Sequence, residues 1–115
     1  LEAQYNLGVF YAEGKGVPQD FRQAVRLYLS AAERGNRDSQ FNLAGMFASG
    51  RGVARNDEQA YKWFRIAANA GDPDAANLLE RLAARMTPRQ MEQAKSAAAT
   101  WKPCAEKSDC DARLR

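Results

Sequence analysis

A stretch that occurs twice decides the fold of this chain. Residues 3–38 read AQYNLGVFYAEGKGVPQDFRQAVRLYLSAAERGNRD, and residues 39–74 read SQFNLAGMFASGRGVARNDEQAYKWFRIAANAGDPD. Thirteen of the 36 aligned positions carry the same residue, and several others exchange one aromatic or basic residue for another. A fixed period of this length is typical of helical repeat proteins, in which each unit needs its neighbours to bury its apolar face. A third unit begins at Ala75 on the same register.

Each unit contains two amphipathic helical patterns. In the first pattern, apolar residues fall at i, i+4, i+7 and i+8, which is one face of a helix. These residues are Ala3, Leu7, Phe10 and Tyr11. We therefore predict that this face is buried, with Leu7 at its centre. The residues of the second pattern are Ala24, Leu27, Tyr28, Ala31 and Ala32. Because a glycine inside a helix costs about 1 kcal/mol relative to alanine, we expect the partner helix to pack closely against Gly8.

Glycine and capping residues mark the ends of these helices. The two helices of a unit are joined by Gly14-Lys15-Gly16-Val17 in the first copy and by residues 50–53 in the second. Two glycines can adopt positive φ at no steric cost, so we predict a turn. A Gly-x-Gly sequence also occurs in phosphate-binding loops, but no strand precedes this one and the fuller fingerprint is absent. Asp20 and either Asn56 or Asp57 are the expected helix N-caps.

The third unit departs from the repeat at its centre. Met86 stands where the other units have the first glycine of the turn, and Thr87-Pro88-Arg89-Gln90 follows. Thr87 at the N-cap with Gln90 three residues later predicts a capping box. The helix that follows is expected to close the stack, because a terminal repeat must cover the last apolar face. Pro103 is expected to end it.

Composition and charge exclude several classes of function. Residues 1–84 carry 10 Lys/Arg and 10 Asp/Glu, whereas residues 85–115 carry 7 and 4, so the whole net charge of +3 lies in the C-terminal part. This field is too weak to indicate a nucleic-acid partner. No apolar run approaches the roughly 20 residues that span a bilayer, so we expect no membrane insertion. The chain begins at Leu1 inside the repeat pattern, which suggests a fragment of a longer protein.

Nothing in the sequence indicates a catalytic, cofactor or metal site. The chain has no histidine, which removes the commonest general base and the commonest metal ligand. None of its serines lies in a nucleophile motif. Acidic pairs such as Asp57/Glu58 and Asp72/Asp74 lie at helix starts, where they favour the positive end of the helix. We therefore expect no enzyme activity and no cofactor.

The repeated residues resemble the Sel-one-like repeat family, long-unit relatives of the tetratricopeptide repeats. The family pattern is met in the first unit by Ala3, Leu7, Gly8, Tyr11, Gly14, Gly16, Val17, Asp20, Ala24, Leu27, Ala31, Ala32 and Gly35. It is met in the second unit by Leu43, Phe47, Gly50, Gly52, Val53, Ala60, Trp63, Ala67, Ala68 and Gly71. Ala44 and Ser39 depart from it. The resemblance covers residues 3 to 86, and the later helix is similar to the closing helix of bacterial members.

The resemblance implies an all-α fold, a right-handed α/α superhelix of antiparallel helix pairs with about 2.5 repeats and a C-terminal closing helix. It divides the chain into a repeat domain at 1–102, with units 3–38, 39–74 and an altered unit 75–102, and a cysteine-containing tail at 103–115. The function it implies is that of a bacterial adaptor whose partner is a protein or a peptide. Such a resemblance does not settle one activity, because function lies in a site and not in a fold.

Two further functions remain open from the sequence. Some cysteine-rich secreted members of the family are associated with penicillin binding or β-lactamase activity, which would make the chain an extracytoplasmic enzyme of cell-wall chemistry. Those members carry cysteines within each repeat, and the repeats of this chain have none. Alternatively, the chain is a structural or regulatory part of a larger multidomain protein. Neither its partner nor its oligomeric state follows from the sequence.

Both cysteines, Cys104 and Cys110, lie in the tail. A disulfide between them would contribute roughly 2 kcal/mol by closing a short loop, and it would indicate a periplasmic or secreted protein. Two free thiols in a cytoplasmic tail are the main alternative. A weak metal site with Asp109 and Asp111 is a third possibility.

A set of first-helix residues points away from Leu7 and is predicted to form rows on the inner surface of the stack. The predicted partner-binding residues are Tyr5, Asn6, Val9, Phe41, Asn42, Asn77, Leu78 and Arg81. Asparagine can pair with a peptide backbone, and aromatic residues can anchor a partner. The alternative is that these residues pack and hydrogen-bond within the fold. Specificity is expected at positions that differ between copies, such as Val9, Gly45 and Arg81.

Overall fold

The computed structural model describes residues 2–114, so Leu1 and Arg115, at the outer ends of the predicted repeat domain and tail, lie outside the described residues. The described part of the chain forms seven α-helices and no strand. The helices are α1 (Glu2–Glu13), α2 (Phe21–Glu33), α3 (Arg37–Ser49), α4 (Asp57–Asn69), α5 (Ala75–Ala83), α6 (Pro88–Thr100) and α7 (Lys107–Arg113). The predicted all-α helical repeat solenoid is therefore confirmed.

The helix starts follow from short-range capping. The side chains of Asp20 and Asn56 accept hydrogen bonds from backbone N–H groups three residues later, at 3.2 and 3.1 Å. Before α6, the Thr87 hydroxyl accepts from the Gln90 N–H at 3.2 Å, and the Gln90 side chain accepts from the Thr87 N–H at 2.9 Å. These bonds satisfy N–H groups that a helix leaves without partners. The predicted caps and the capping box are confirmed.

The glycine turn of the second unit fits against the first unit. Gly52 has φ +69°, a backbone conformation that side-chain-bearing residues rarely adopt. A Cβ at this position would also collide with the carbonyl group of Phe21 at the start of α2. The turn therefore both reverses the chain and brings the backbones of two repeats into contact.

The helices pack as consecutive pairs around a shared core. α1 packs on α2 and α3 packs on α4, while α2 contacts α3 and α4 contacts both α5 and α6. Trp63 and Leu43 are the largest apolar side chains that are fully buried. A Cβ at Gly8 would lie 2.8 Å from Cε1 of Tyr28, so the predicted close approach of the partner helix to this glycine is confirmed. The large and small residues of the two helices interdigitate.

The prediction of a buried face on the first helix holds for α3 but is wrong for α1. Leu43 is fully buried and Met46 is 8% exposed, whereas the equivalent residues Leu7 and Phe10 are 41% and 46% exposed. The face of α3 is covered because α2 of the preceding unit and α4 of its own unit both pack against it. Within residues 2–114, α2 is the one helix that packs extensively against α1. The face of α1 that carries Leu7 and Phe10 therefore lies in solvent.

The C-terminal part folds back across the second helices. α6 packs on α4, with Ala94 and Ala98 buried, and it ends at Thr100 before Pro103. The Trp101 ring meets the Trp63 ring edge to face, with 5.7 Å between the centroids. The disulfide between Cys104 and Cys110 closes the following loop, which contains the start of α7.

Glu33, the last residue of α2, holds this tail. Its carboxylate accepts hydrogen bonds from Nε1 of Trp101 at 2.8 Å and from Nη1 of Arg113 at 3.1 Å. Its backbone carbonyl accepts from the N–H of Cys104 at 2.8 Å. Glu33 is only 7% exposed, so the charge is compensated by these donors. The tail is thereby attached to the first repeat, far from it in the sequence.

Candidate functional site

The first helices of neighbouring repeats enclose two adjoining grooves. The first groove lies between α1 and α3, with Tyr28 of α2 in its lining, and has a volume of about 400 Å³. Its lining residues are Tyr5, Val9, Ala12, Glu13, Tyr28, Phe41, Asn42, Gly45, Met46, Ser49 and Arg51. The second groove lies between α3 and α5, with Phe64 of α4 in its lining, and has a volume of about 320 Å³. Its lining residues are Phe41, Gly45, Ala48, Ser49, Phe64, Leu78, Arg81, Leu82 and Arg85.

The two grooves are built from equivalent repeat positions. Moving 36 residues along the chain takes Tyr28 of the first groove to Phe64 of the second, and Val9 to Gly45. Three residues of α3, namely Phe41, Gly45 and Ser49, line both grooves and form the wall between them. This shared wall is low at its centre, because an added Cβ at Gly45 would have no heavy atom within 4 Å.

Aromatic pairs hold the bases of the grooves. Tyr5 packs on Tyr28 with 6.1 Å between ring centroids, and Phe41 packs edge to face on Phe64 at 5.4 Å. Tyr28 and Phe64 are 2% and 3% exposed, so they serve as core residues as well. Tyr5 and Phe41 are half-buried. Rings fixed in this way give each groove a preformed apolar surface.

The first groove has polar as well as apolar groups in its lining. Burial raises the pKa of the Tyr28 phenol, and a hydrogen bond with the Asn42 side chain opposes that rise. Asn42 thus serves the fold while part of it faces the groove. Glu13 lies at one end and is paired with Lys15 at 2.9 Å. The Arg51 guanidinium lies 5.8 Å from the Phe21 ring centroid, so this cation is already in contact with an aromatic face.

The second groove combines apolar walls with two arginines. Leu78 and Leu82 occupy the positions of Asn42 and Met46, so the amide of the first groove is replaced by a hydrocarbon side chain. Arg81 lies on α5, and Arg85 follows four residues later, in the turn after that helix. No Asp or Glu lines this groove.

Arg85 is bound within the fold. Its Nη2 donates to Oδ1 of Asp57 at 2.9 Å and to the carbonyl of Ala48 at 3.1 Å. Burial alone would raise the pKa of Asp57, but the hydrogen bonds from Arg55 and Arg85 are decisive and lower it below its ordinary value. Arg85 therefore joins the ends of α3 and α5 to the start of α4. Arg81 is exposed and has no carboxylate at salt-bridge distance within residues 2–114.

The structure distributes the predicted binding residues unevenly. Six of the eight line the grooves, namely Tyr5, Val9, Phe41, Asn42, Leu78 and Arg81. Asn6 and Asn77 are exposed and line neither groove. The sequence reasoning missed Tyr28 and Phe64 as groove residues, because an aromatic residue on the apolar face of a second helix indicates core packing. The available signal was that each unit has an aromatic residue on its first helix, Tyr5 or Phe41, and another on its second helix that can pack against it.

The described residues offer no cluster for catalysis by a metal. No group of three or more His, Cys, Asp or Glu side chains that could hold a metal ion occurs within residues 2–114. Among the helices of that same part of the chain, none is long and apolar enough to cross a membrane.

Comparison with known proteins shows which repeat family and which solved structures this chain resembles. The model of the Sel1 repeat matches residues 1–36 and again 37–72. No curated protein matches the chain. Among solved structures, the chain is similar to c5321, described as a protective antigen present in uropathogenic Escherichia coli strains and displaying an SLR fold, with 30% identity and a TM-score of 0.84. The chain is covered over 97% of its length.

A second solved structure is a Sel1 repeat protein from Oxalobacter formigenes. It shares 42% identity with this chain over 70% of the chain's length, with a TM-score of 0.69. The chain spans only 24% of the length of each of these two neighbours. The likeness therefore concerns about a quarter of each neighbour, and it does not show the activity of either whole protein.

Proposed function

Because the chain belongs to the Sel1 repeat family, whose members are generally protein-interaction modules, we propose that it binds a peptide or an extended protein segment along the two grooves. The observation that carries this proposal is the pair of adjoining grooves on one face, each with a preformed aromatic base. The chain would act as an adaptor, which brings its partner to a defined position without changing it chemically.

The dimensions of the grooves suit side chains of a partner. Each volume falls at the lower end of the range of small-molecule pockets, roughly 300–1,000 Å³, and is open to solvent along the stack. Burying one large apolar side chain contributes about 1.5–3 kcal/mol. A segment that places one such side chain in each groove therefore gains enough to offset part of the ordering cost of binding.

The predicted binding residues have different roles in this proposal. Tyr5, Phe41 and Leu78 supply apolar contact, while Asn42 can exchange hydrogen bonds with the partner's backbone. Asn6 and Asn77 lie on the exposed surface beside the grooves, where they would meet only a partner wider than a single extended chain. Arg81 is left to recognise charge.

We also propose that the protein acts outside the cytoplasm, in the periplasm or as a secreted protein. The disulfide between Cys104 and Cys110 supports this compartment, because such bonds persist in oxidising surroundings and are rare in the cytosol. Alkylation of free thiols in intact cells, followed by mass spectrometry, tests it. A disulfide-linked pair agrees with the proposal, and two alkylated thiols would contradict it.

The shared wall of the grooves allows a direct test of binding. A library of random linear peptides is selected on the chain, and the Kd of the selected peptides is measured for Gly45→Trp and for Gly45→Ala. The indole should fill the space beside Gly45 and weaken binding at least about tenfold, whereas Gly45→Ala should bind like the original chain. Circular dichroism checks that both variants are folded.

A second variant guards against misfolding of the first. Ser49 is exposed at the end of the shared wall, so Ser49→Trp narrows the grooves without changing the core. Peptides that bind both tryptophan variants as tightly as the original chain would overturn the proposal.

A further inference from the structure

The two grooves differ in charge as well as in polarity. The lining of the first contains one acid and one base, Glu13 and Arg51, whereas the lining of the second contains Arg81 and Arg85 and no acid. Since the two grooves occupy equivalent positions in successive repeats, this difference comes from substitutions and not from geometry. The positions that carry it are Glu13, Ser49 and Arg85 in one row and Val9, Gly45 and Arg81 in the other.

The two arginines of the second groove have different environments. Arg85 is held by Asp57 and by the carbonyl of Ala48, so its position is set by the fold. Arg81 lies in the last turn of α5, four residues before Arg85, and it is exposed and has no ion pair within the described residues. An anion bound beside Arg81 would give this exposed cation a partner of opposite charge.

Apart from Ser49, the other side chains that line the second groove are hydrocarbon. Phe41, Phe64, Leu78 and Leu82 surround a volume of about 320 Å³ that no side chain of the described residues fills. A ligand that satisfies the whole groove therefore has an apolar side chain and, next to it, a negative charge. A planar guanidinium can pair with a carboxylate through two parallel hydrogen bonds, which gives direction as well as attraction.

We propose that the second groove selects protein segments in which a large apolar residue is adjacent to an aspartate or glutamate. The apolar side chain enters between α3 and α5, and the carboxylate pairs with Arg81 at the rim. This inference rests on the proposed function, because it names the class of segment that the grooves accept. The first groove, with Tyr28 and Asn42, takes a neighbouring residue of the same segment and does not require charge.

Charge reversal at Arg81 tests this specificity. The peptides selected on the original chain should be enriched in acidic residues beside Leu, Phe or Trp. For one such peptide, Arg81→Glu should raise Kd at least about tenfold. The control is Arg89→Glu, which makes the same change of net charge on the exposed start of α6, outside both grooves. It should change Kd less than about twofold.

A charge exchange gives the complementary readout. The peptide with its acidic residue replaced by lysine should bind the original chain poorly and recover affinity for Arg81→Glu. Equal losses in Arg81→Glu and Arg89→Glu, or selected peptides without acidic residues, would overturn the inference. The proposed function fails separately: there the tryptophan variants at Gly45 and Ser49 would bind normally, whereas failure of the charge inference alone leaves those variants impaired.

Discussion

The groove between α1 and α3 and the groove between α3 and α5 are equivalent in position and different in chemistry. Phe64 replaces Tyr28 and Leu78 replaces Asn42, and Arg81 and Arg85 stand where the first groove has Gly45 and Ser49. The recurring residues of the repeat set the spacing of the helices. The residues that differ between the two grooves lie in their linings. A repeat protein can therefore change its ligand without changing its fold.

The same comparison extends to the outer sides of the two repeats. Leu43 of α3 is covered by neighbouring helices, whereas its equivalent Leu7 of α1 is 41% exposed. At the other end of the units, Glu33 receives the tail, and its equivalent Asn69 is exposed. Residues at equivalent positions thus contribute differently to the free energy of unfolding in the two units. Substitutions at these positions measure that difference.

The largest effect is expected at the central leucines. Leu43→Ala should lower the free energy of unfolding by about 2–5 kcal/mol, because it leaves a cavity in the core. Leu7→Ala should lower it by less than about 1 kcal/mol, since much of that side chain is already in water. Urea unfolding followed by circular dichroism provides both values. Equal losses would mean that α1 is covered in solution as α3 is.

Prediction from sequence succeeded where the cause is local. The N-caps at Asp20 and Asn56 and the capping box at Thr87 depend on residues three positions apart, so the sequence alone indicates them. The exposure of Leu7 was not predicted, because the apolar pattern of a helix does not reveal whether a neighbour covers it. The repeat period alone made the two units look alike.

The contacts of the tail were beyond sequence reasoning for a related cause. Trp101 and Arg113 reach Glu33 across 68 and 80 positions of the chain. Glu33 is the last residue of a helix, where an acid gains nothing from the helix dipole, and that unusual placement was the available signal. In the grooves, six predicted residues lie in the linings, but the sequence does not reveal that Tyr5 and Phe41 also pack on the core rings of Tyr28 and Phe64.

A smaller difference is expected where the tail meets the first repeat. Glu33→Ala should lower the free energy of unfolding by about 2 kcal/mol, because the buried side-chain bonds to Trp101 and Arg113 are lost. Asn69→Ala, at the equivalent exposed position of the second repeat, should change it by less than about 0.5 kcal/mol. Both tryptophans of the chain meet at this contact, so their fluorescence reports it directly.

The comparison of Glu33→Ala with Asn69→Ala can also contradict this role of Glu33. If Glu33→Ala leaves both the fluorescence and the stability at the values of Asn69→Ala, the tail does not hold the first repeat. Glu33→Gln, which keeps an acceptor for Trp101 but removes the charge, should fall between the two.

The smallest expected effect is a pH-dependent difference in stability between Tyr28, at the bottom of the first groove, and a phenylalanine such as the second groove has there. Because the pKa of Tyr28 is raised in the folded chain from 10.0, its contribution to stability is complete below about pH 10 and is lost as the pH rises toward the higher folded value. Tyr28→Phe gives the first groove the phenyl base of the second. It should lower the free energy of unfolding by about 1 kcal/mol near neutral pH, because the polar contact of the phenol with Asn42 is lost, and this difference should shrink above pH 10.

Parallel urea unfolding of the original chain and Tyr28→Phe at about pH 8 and above pH 10 measures this change. Comparing the two proteins cancels the titration of other groups, including Lys62, whose pKa is lowered mainly by burial. A difference that grows with pH would show that the phenol is not stabilised in its neutral form.

The central claim is that a partner segment lies in the grooves, with its acidic residue at Arg81. The most direct measurement is the change in backbone amide NMR shifts of the labelled chain on titration with a selected peptide. The account predicts that the largest changes lie on α3 and α5 at Gly45, Leu78 and Arg81, and that they vanish in Gly45→Trp. Changes confined to α6 and the tail, with α3 and α5 undisturbed, would contradict it.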